Sequence, residues 1–213
     1  MNKEKSRIVQ NVFSENEIAQ LVNYYSNQPY TIDDRFTKDN KLKYRNKNNG
    51  YDDKDSLPYE IIHSKLVNIL GEHNMQYGAY LESHYPFGVH VDTNTHIDET
   101  QDVYHHKTDI HRNIAVIIPL CESSYFKTIF FDYFINSFDD DTTLPKLLKE
   151  PQDLDIDLDH LGTIVKEKMQ WIPIDQIFHW KIGDIAIWNR NQLHCASNFL
   201  PSNTFKTAVT LFL

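Results

Sequence analysis

The chain has 213 residues, enough for one domain with a substantial core. Hydrophobic content of 40% and charged content of 24% are ordinary for a globular domain. A formal net charge of −9 with no basic cluster argues against a nucleic-acid partner, and no run approaches the roughly 18 apolar residues of a membrane span.

The polar start, Met1–Arg7, leads into no signal-peptide core, and Cys121 and Cys195 make no disulfide framework. A cytoplasmic, reduced protein is expected, with both thiols buried as small hydrophobes. Ser14 followed by Glu17 reads as a capping box, and Ile18, Leu21, Val22 and Tyr25 then keep helical spacing. Residues 31–56 are crowded with Asp, Asn and Lys and read as a loop or irregular strand region. A second helix is predicted from Pro58 to Leu70, with Gly71 as its stop.

From Met75 onward the period changes to that of strands. Strands are predicted at 76–84, 87–91, 113–120, 128–133, 171–174, 184–188, 194–199 and 205–213. Many short strands after two helices predict a mainly β (α+β) protein, a two-sheet jelly roll with helices packed on one side. Two long connections, 93–112 and 134–170, interrupt the strands; connections of that length are lids, binding loops or disordered segments. No boundary splits the chain, so 1–213 is read as a single domain.

On an extended strand, residues two apart face the same way, so His90 and Asp92 in Ser83-His84-Tyr85-Pro86-Phe87-Gly88-Val89-His90-Val91-Asp92 offer an imidazole and a carboxylate to one point. A second histidine from far along the chain would complete a two-His, one-carboxylate face, which suits non-haem Fe(II). His-x-Asp alone carries little weight in a chain with 11 histidines, and it recurs at His96-Ile97-Asp98. Context separates the two: the first follows a strand-like run and a Pro-x-Gly turn, the second sits in a polar stretch.

Gly183-Asp184 opens another alternating strand that leads through a polar turn to His194. In the last strand, Lys206, Ala208, Thr210 and Phe212 share one face. A lysine on an inner face needs an anion, and the small neighbours leave room for one.

His90-x-Asp92, the distal His194 after a Gly-Asp strand and a basic residue on the final strand together resemble the Fe(II)- and 2-oxoglutarate-dependent dioxygenases, in particular the prolyl 4-hydroxylase-like branch. Tyr85-Pro86-Phe87-Gly88 is similar to that branch's Tyr-Pro-Gly run. The resemblance implies a double-stranded β-helix over 75–213, with 1–74 as N-terminal helical support and 134–170 as an insert, read as a lid. It implies His90, Asp92 and His194 as iron ligands and Lys206 as partner of the distal carboxylate of 2-oxoglutarate. Tyr85 would line the cosubstrate site, and Arg112 is a weaker candidate.

The implied activity is hydroxylation of a peptidyl or free amino acid or other small metabolite. It consumes O2 and 2-oxoglutarate, releases succinate and CO2, and can draw on ascorbate. The ligand Asp92, where a halogenase keeps a small residue, favours hydroxylation. Lys206 follows His194 by twelve residues, so the 198–204 loop must bulge; Arg190 and Thr207 are the fallback anchors. His105, His106 and His111 read as a solvated loop, His179 as structural and Asp139-Asp140-Asp141 as a solvated face. Two other classes remain: a cupin-type metal enzyme or binding protein without 2-oxoglutarate, and a metal-free interaction domain.

Overall fold

A computed structural model describes residues 5–31, 35–37, 39–51, 53–73, 77–92, 114–134, 147–153 and 155–213. Among them are two antiparallel sheets. The larger is built from β1 (Arg7–Val9), β2 (Arg35–Phe36), β3 (Leu42–Asn48), β4 (Tyr77–Ser83), β5 (Ile114–Pro119), β8 (Ile185–Asn189) and β10 (Lys206–Phe212), in the order β1-β8-β5-β10-β4-β3-β2. The smaller runs β7 (Ile174–His179), β6 (Lys127–Phe134), β9 (Gln192–Ala196). The two sheets face each other as the expected jelly roll.

Strand alternation sorts the apolar side chains into three cores. Val116, Ile118, Ile185, Ile187, Val209 and Leu211 project outward from the large sheet onto α1 (Glu15–Ser26) and α2 (Leu57–Leu70), where Leu21, Ile62 and Leu66 are fully buried. Burying each such side chain is worth about 1.5–3 kcal/mol. Their strand neighbours Ala115, Ile117, Ala186, Trp188 and Ala208 point inward and meet Phe130, Phe178 and Trp180 of the small-sheet side. Ile129, Phe131, Leu193 and Cys195 form the outer face of the small sheet.

Both helices begin as predicted. Ser14 caps α1 in a complete capping box with Glu17, and Ser56 caps α2, which carries Pro58 in its first turn and stops at Gly71 with φ of 75°. Val22, placed on the apolar stripe by spacing, is in fact exposed.

The polar region 31–56 contains a regular strand, β3, where a loop or irregular strand was expected. Its polarity has a use. Glu82 in β4, 3% exposed, accepts hydrogen bonds from Tyr30 Oη (2.7 Å), Arg45 Nε (2.8 Å) and His84 Nε2 (2.7 Å). Burial pushes the Glu82 carboxyl up, but the hydrogen bonds from Tyr30, His84 and Arg45 outweigh it and hold it below the usual range.

Three other strand expectations need correction. Segment 87–91 is extended but joins β9 through a single bridge, His90 to His194. Residues 171–173 form a turn and the strand starts at Ile174, because Pro173 has no N–H to give to a sheet; its carbonyl accepts from Asp132 N–H instead (2.7 Å). The strand predicted at 194–199 is Gln192–Ala196. The extra chain before β10 is absorbed by a 3-10 turn, Leu200–Ser202, which closes on Asn203 with φ of 51°.

The described part of the insert also corrects the reading as a lid. Ile156, Leu158 and Met169 belong to the cluster on the outer face of the small sheet, against which Val89 and Val91 are packed. This part, which includes α3 (Thr163–Met169), is a buttress behind segment 87–92. The helix escaped sequence reading because its cap position is Gly162, with no side-chain cap, and Ile164 and Val165 face solvent. His96–Asp98, His105, His106, His111, Arg112 and Asp139–Asp141 lie outside the described residues.

Gly183 joins the two ends of the fold. Its carbonyl accepts both Val12 N–H (2.8 Å) and Phe13 N–H (3.1 Å), just ahead of the Ser14 cap. Its φ is 90°, and a Cβ there would stand 2.5 Å from Phe13 O. Gly183→Ala is expected to lower stability by more than about 1 kcal/mol in urea unfolding, since strain and contact act in the same direction.

Candidate metal centre

The site begins with backbone pairing. His90 N–H donates to His194 O and His194 N–H to His90 O, both at 3.0 Å. Residues paired in this way have side chains on the same face, and the two imidazole centroids lie 4.2 Å apart. Asp92 follows two residues after His90 and is held by its N–H bond to Arg190 O (2.8 Å). Asp92 Oδ1 is 3.8 Å from His90 Nε2, and Oδ2 is 3.5 Å from His194 Nε2. One ligand atom from each of the three residues can be chosen so that all lie within 4.8 Å of one another. The structure thus brings His90 and Asp92 together as their spacing predicts, and His194 with them as the resemblance implies.

The histidines are set in the tautomer a metal needs. His90 Nδ1 lies 2.7 Å from Gly88 O, and His194 Nδ1 3.0 Å from Gln192 O. A carbonyl only accepts, so each Nδ1 carries the proton and each Nε2 lone pair is left for an ion. Burial, followed by the neighbouring His194, pushes His90 down to about 4, which keeps its ring neutral. Trp188 Nε1–H donates to Asp92 Oδ2 at 2.8 Å.

These groups open into a cavity of about 280 Å3 between the sheets. Lys206 lines it and is 4% exposed. Its ammonium stands 4.2 Å from the Trp180 ring centroid and 5.1 Å from that of Phe199, and no carboxylate among the described residues lies within ion-pair distance. Burial lowers its pKa to about 7. Thr128 Oγ1 accepts the Trp180 indole N–H (3.0 Å) at the same end of the cavity.

Across the large sheet, Tyr44, Ser83 and Lys206 form one register row, and all three line the cavity. The cavity lining includes Tyr44 and not Tyr85, whose N–H bonds to Lys43 O (3.2 Å) at the end of β4. Tyr44 also packs against Phe87 (5.3 Å between centroids), and Phe87 against His90 (5.8 Å). Sequence reasoning passed over Tyr44 because it lies in the polar stretch read as loop; the alternation Leu42, Tyr44, Asn46 was the available signal.

Of the fallback anchors, Arg190 donates to Asp92 O (3.1 Å) and stacks 4.9 Å above Phe212. The Thr207 backbone accepts Leu120 N–H on the edge shared with β5 (2.9 Å). His179 is exposed at the end of β7. Both cysteines are free, and burial pushes the Cys195 thiol up to about 12. No helix among the described residues is long and apolar enough to cross a membrane.

By sequence, no family model and no curated protein matches the chain. By structure, it is similar to the non-haem alpha-ketoglutarate-dependent epimerase SnoN from nogalamycin biosynthesis, with TM-score 0.60 and 10% identity over 99% of this chain and 78% of that one. The carbocyclase SnoK of the same pathway matches with TM-score 0.57 and 10% identity, over 99% and 79%. HygX from Streptomyces hygroscopicus, solved with nickel, 2-oxoglutarate and hygromycin B, matches with TM-score 0.56 and 11% identity, over 99% and 83%. The fold is therefore the jelly roll of the non-haem 2-oxoglutarate/Fe(II) oxygenases, and these neighbours do not single out a prolyl 4-hydroxylase branch.

A buried ammonium penalises the folded state while it is charged. The cost is absent above the ordinary lysine value of 10.5 and is fully present below about 7. Lys206→Met, in protein freed of 2-oxoglutarate, is expected to raise the thermal midpoint at pH 6.5 and to lose most of that gain by about pH 10.5.

Proposed function

We propose that the chain is an Fe(II)- and 2-oxoglutarate-dependent oxygenase that hydroxylates a small molecule. The observation that carries this reading is the placement, in one cavity, of a two-His, one-carboxylate cluster and a buried lysine with no carboxylate partner among the described residues. The donor set fits a ferrous ion: two imidazoles whose Nδ1 atoms are bonded to carbonyls, so that each Nε2 faces the cluster, and one carboxylate, which leaves positions for other ligands. The lysine fits the far carboxylate of 2-oxoglutarate, and a cupin-type site without that cosubstrate gives Lys206 no role.

When bound, the iron and 2-oxoglutarate supply the oxidising chemistry, with succinate and CO2 as co-products. The chain's own residues hold and orient. His90, Asp92 and His194 would hold the ion. Lys206 would pair with the distal carboxylate at the end of the cavity lined by Trp180 and Thr128, where low polarity would strengthen the pair. Tyr44, from the large sheet, and Phe87, beside the small one, pack together in the cavity wall next to His90 and would border a bound ion. Tyr85 is replaced by Tyr44 as the tyrosine proposed to line the cosubstrate.

A small-molecule substrate is supported by fold relatives solved with nogalamycin RO and with hygromycin B. The net charge of −9 leaves nucleic acid disfavoured. A second outcome, epimerisation or ring closure, is supported by the epimerase and carbocyclase among those relatives. Product analysis separates it from hydroxylation, because only the latter leaves an oxygen atom in the product.

The reading is tested by succinate release from 2-oxoglutarate under Fe(II) and ascorbate with pools of small molecules. Asp92→Ala is expected to abolish release and Fe(II) retention; coupled turnover by that variant would sink the assignment. Lys206 yields a separate test. At pH 8 it is mostly neutral and must be charged to pair with a carboxylate. Titration of 2-oxoglutarate into the metal-loaded protein in buffers of different ionisation enthalpy is expected to show uptake of about one proton at pH 8, falling towards zero at pH 6.

A further inference from the structure

Trp188 is 4% exposed, and its ring packs 5.3 Å from each of the Phe130 and His194 centroids, which are themselves 5.9 Å apart. An indole N–H can only donate, and this one donates to Asp92 Oδ2 at 2.8 Å. Oδ1 of the same carboxylate accepts no hydrogen bond among the described residues and stands 3.8 Å from His90 Nε2. The Asp92 backbone is clamped from the same stretch of chain, by Arg190 O on its N–H (2.8 Å) and the Arg190 guanidinium on its carbonyl (3.1 Å).

We propose that Trp188 is a positioning residue of the metal centre: its indole N–H occupies Asp92 Oδ2 and commits the carboxylate to bind a divalent ion through Oδ1 alone. The inference rests on the metal-binding role of Asp92 proposed above. A carboxylate that closed on the ion with both oxygens would fill one more coordination position. Capping one oxygen keeps that position for exogenous ligands. A neutral donor suits the task, since a lysine or arginine there would cancel the charge that attracts the ion. The packing of the ring against Phe130 and His194 holds the N–H in place.

The test uses Co(II) as probe, titrated into the full chain and followed by calorimetry and by its visible spectrum. Trp188→Phe is expected to keep a cooperative thermal transition and to bind Co(II) about 10–100-fold more weakly. Its spectrum at saturation should change, and 2-oxoglutarate should bind its Co(II) form more weakly than the wild-type form. Wild-type affinity and spectrum in Trp188→Phe would overturn the inference and leave the metal centre standing. Absence of Co(II) binding by the wild-type chain would overturn both. Should Trp188→Phe fail to fold, the wild-type protein decides: its Trp188 indole N–H signal in 15N spectra is expected to shift on addition of Zn(II), and an unmoved signal in a Zn(II)-binding protein overturns the proposal.

Discussion

Two backbone hydrogen bonds between His90 and His194 are the constraint on which the site depends. The residues are far apart in sequence, and each belongs to a segment with its own reason to be where it is. Segment 87–92 is not a full strand, so few ladder bonds hold it. Behind it, Val89 and Val91 pack against the apolar cluster to which the insert side chains Ile156 and Leu158 belong. Alternation does the remainder: with the valines turned outward, His90 and Asp92 must face the cavity.

The other half of the site comes from one short stretch. β8 belongs to the large sheet and β9 to the small one, so the turn at 190–191 carries the chain from one sheet to the other. Trp188, Arg190 and His194 lie along that passage, and each touches Asp92 or stands beside it. The turn is pinned by Asn191 N–H on Asn189 Oδ1 (2.9 Å), an Asx turn that any backbone shift would break. Below it, Gln192 is fully buried and donates to Phe131 O and Asp175 Oδ2. The metal face is thus assembled from the edge of one sheet and the crossing between two.

Much of this was legible in the residues. The capping box at Ser14, the shared face of His90 and Asp92 and the inward face of β10 follow from spacings of two and of three, which side-chain geometry dictates, whereas His194 was joined to them by the family resemblance. The losses have a common cause. Tyr44 was hidden in a stretch whose polarity suggests loop, because a buried Glu82 makes Arg45 useful on a strand, and nothing local announces a partner so far along the chain. Tyr85 was favoured because Tyr85-Pro86-Phe87-Gly88 is similar to the branch's Tyr-Pro-Gly run, but a shared run does not choose a face. The buttress formed by 155–172 could not be read as such because its apolar residues are too sparse for a helix or strand signal, and what they cover lies far away in sequence.

The alternation of β10 has a last consequence. Val209 and Leu211 answer to the helices, whereas Lys206, Thr210 and Phe212 answer to the cavity. One strand therefore serves two masters through residues of opposite parity. Thr210 can be exchanged to suit a new guest molecule while the foundation laid by Val209 and Leu211 stays untouched. A scaffold wired in this way can diverge in chemistry without first relearning how to stand.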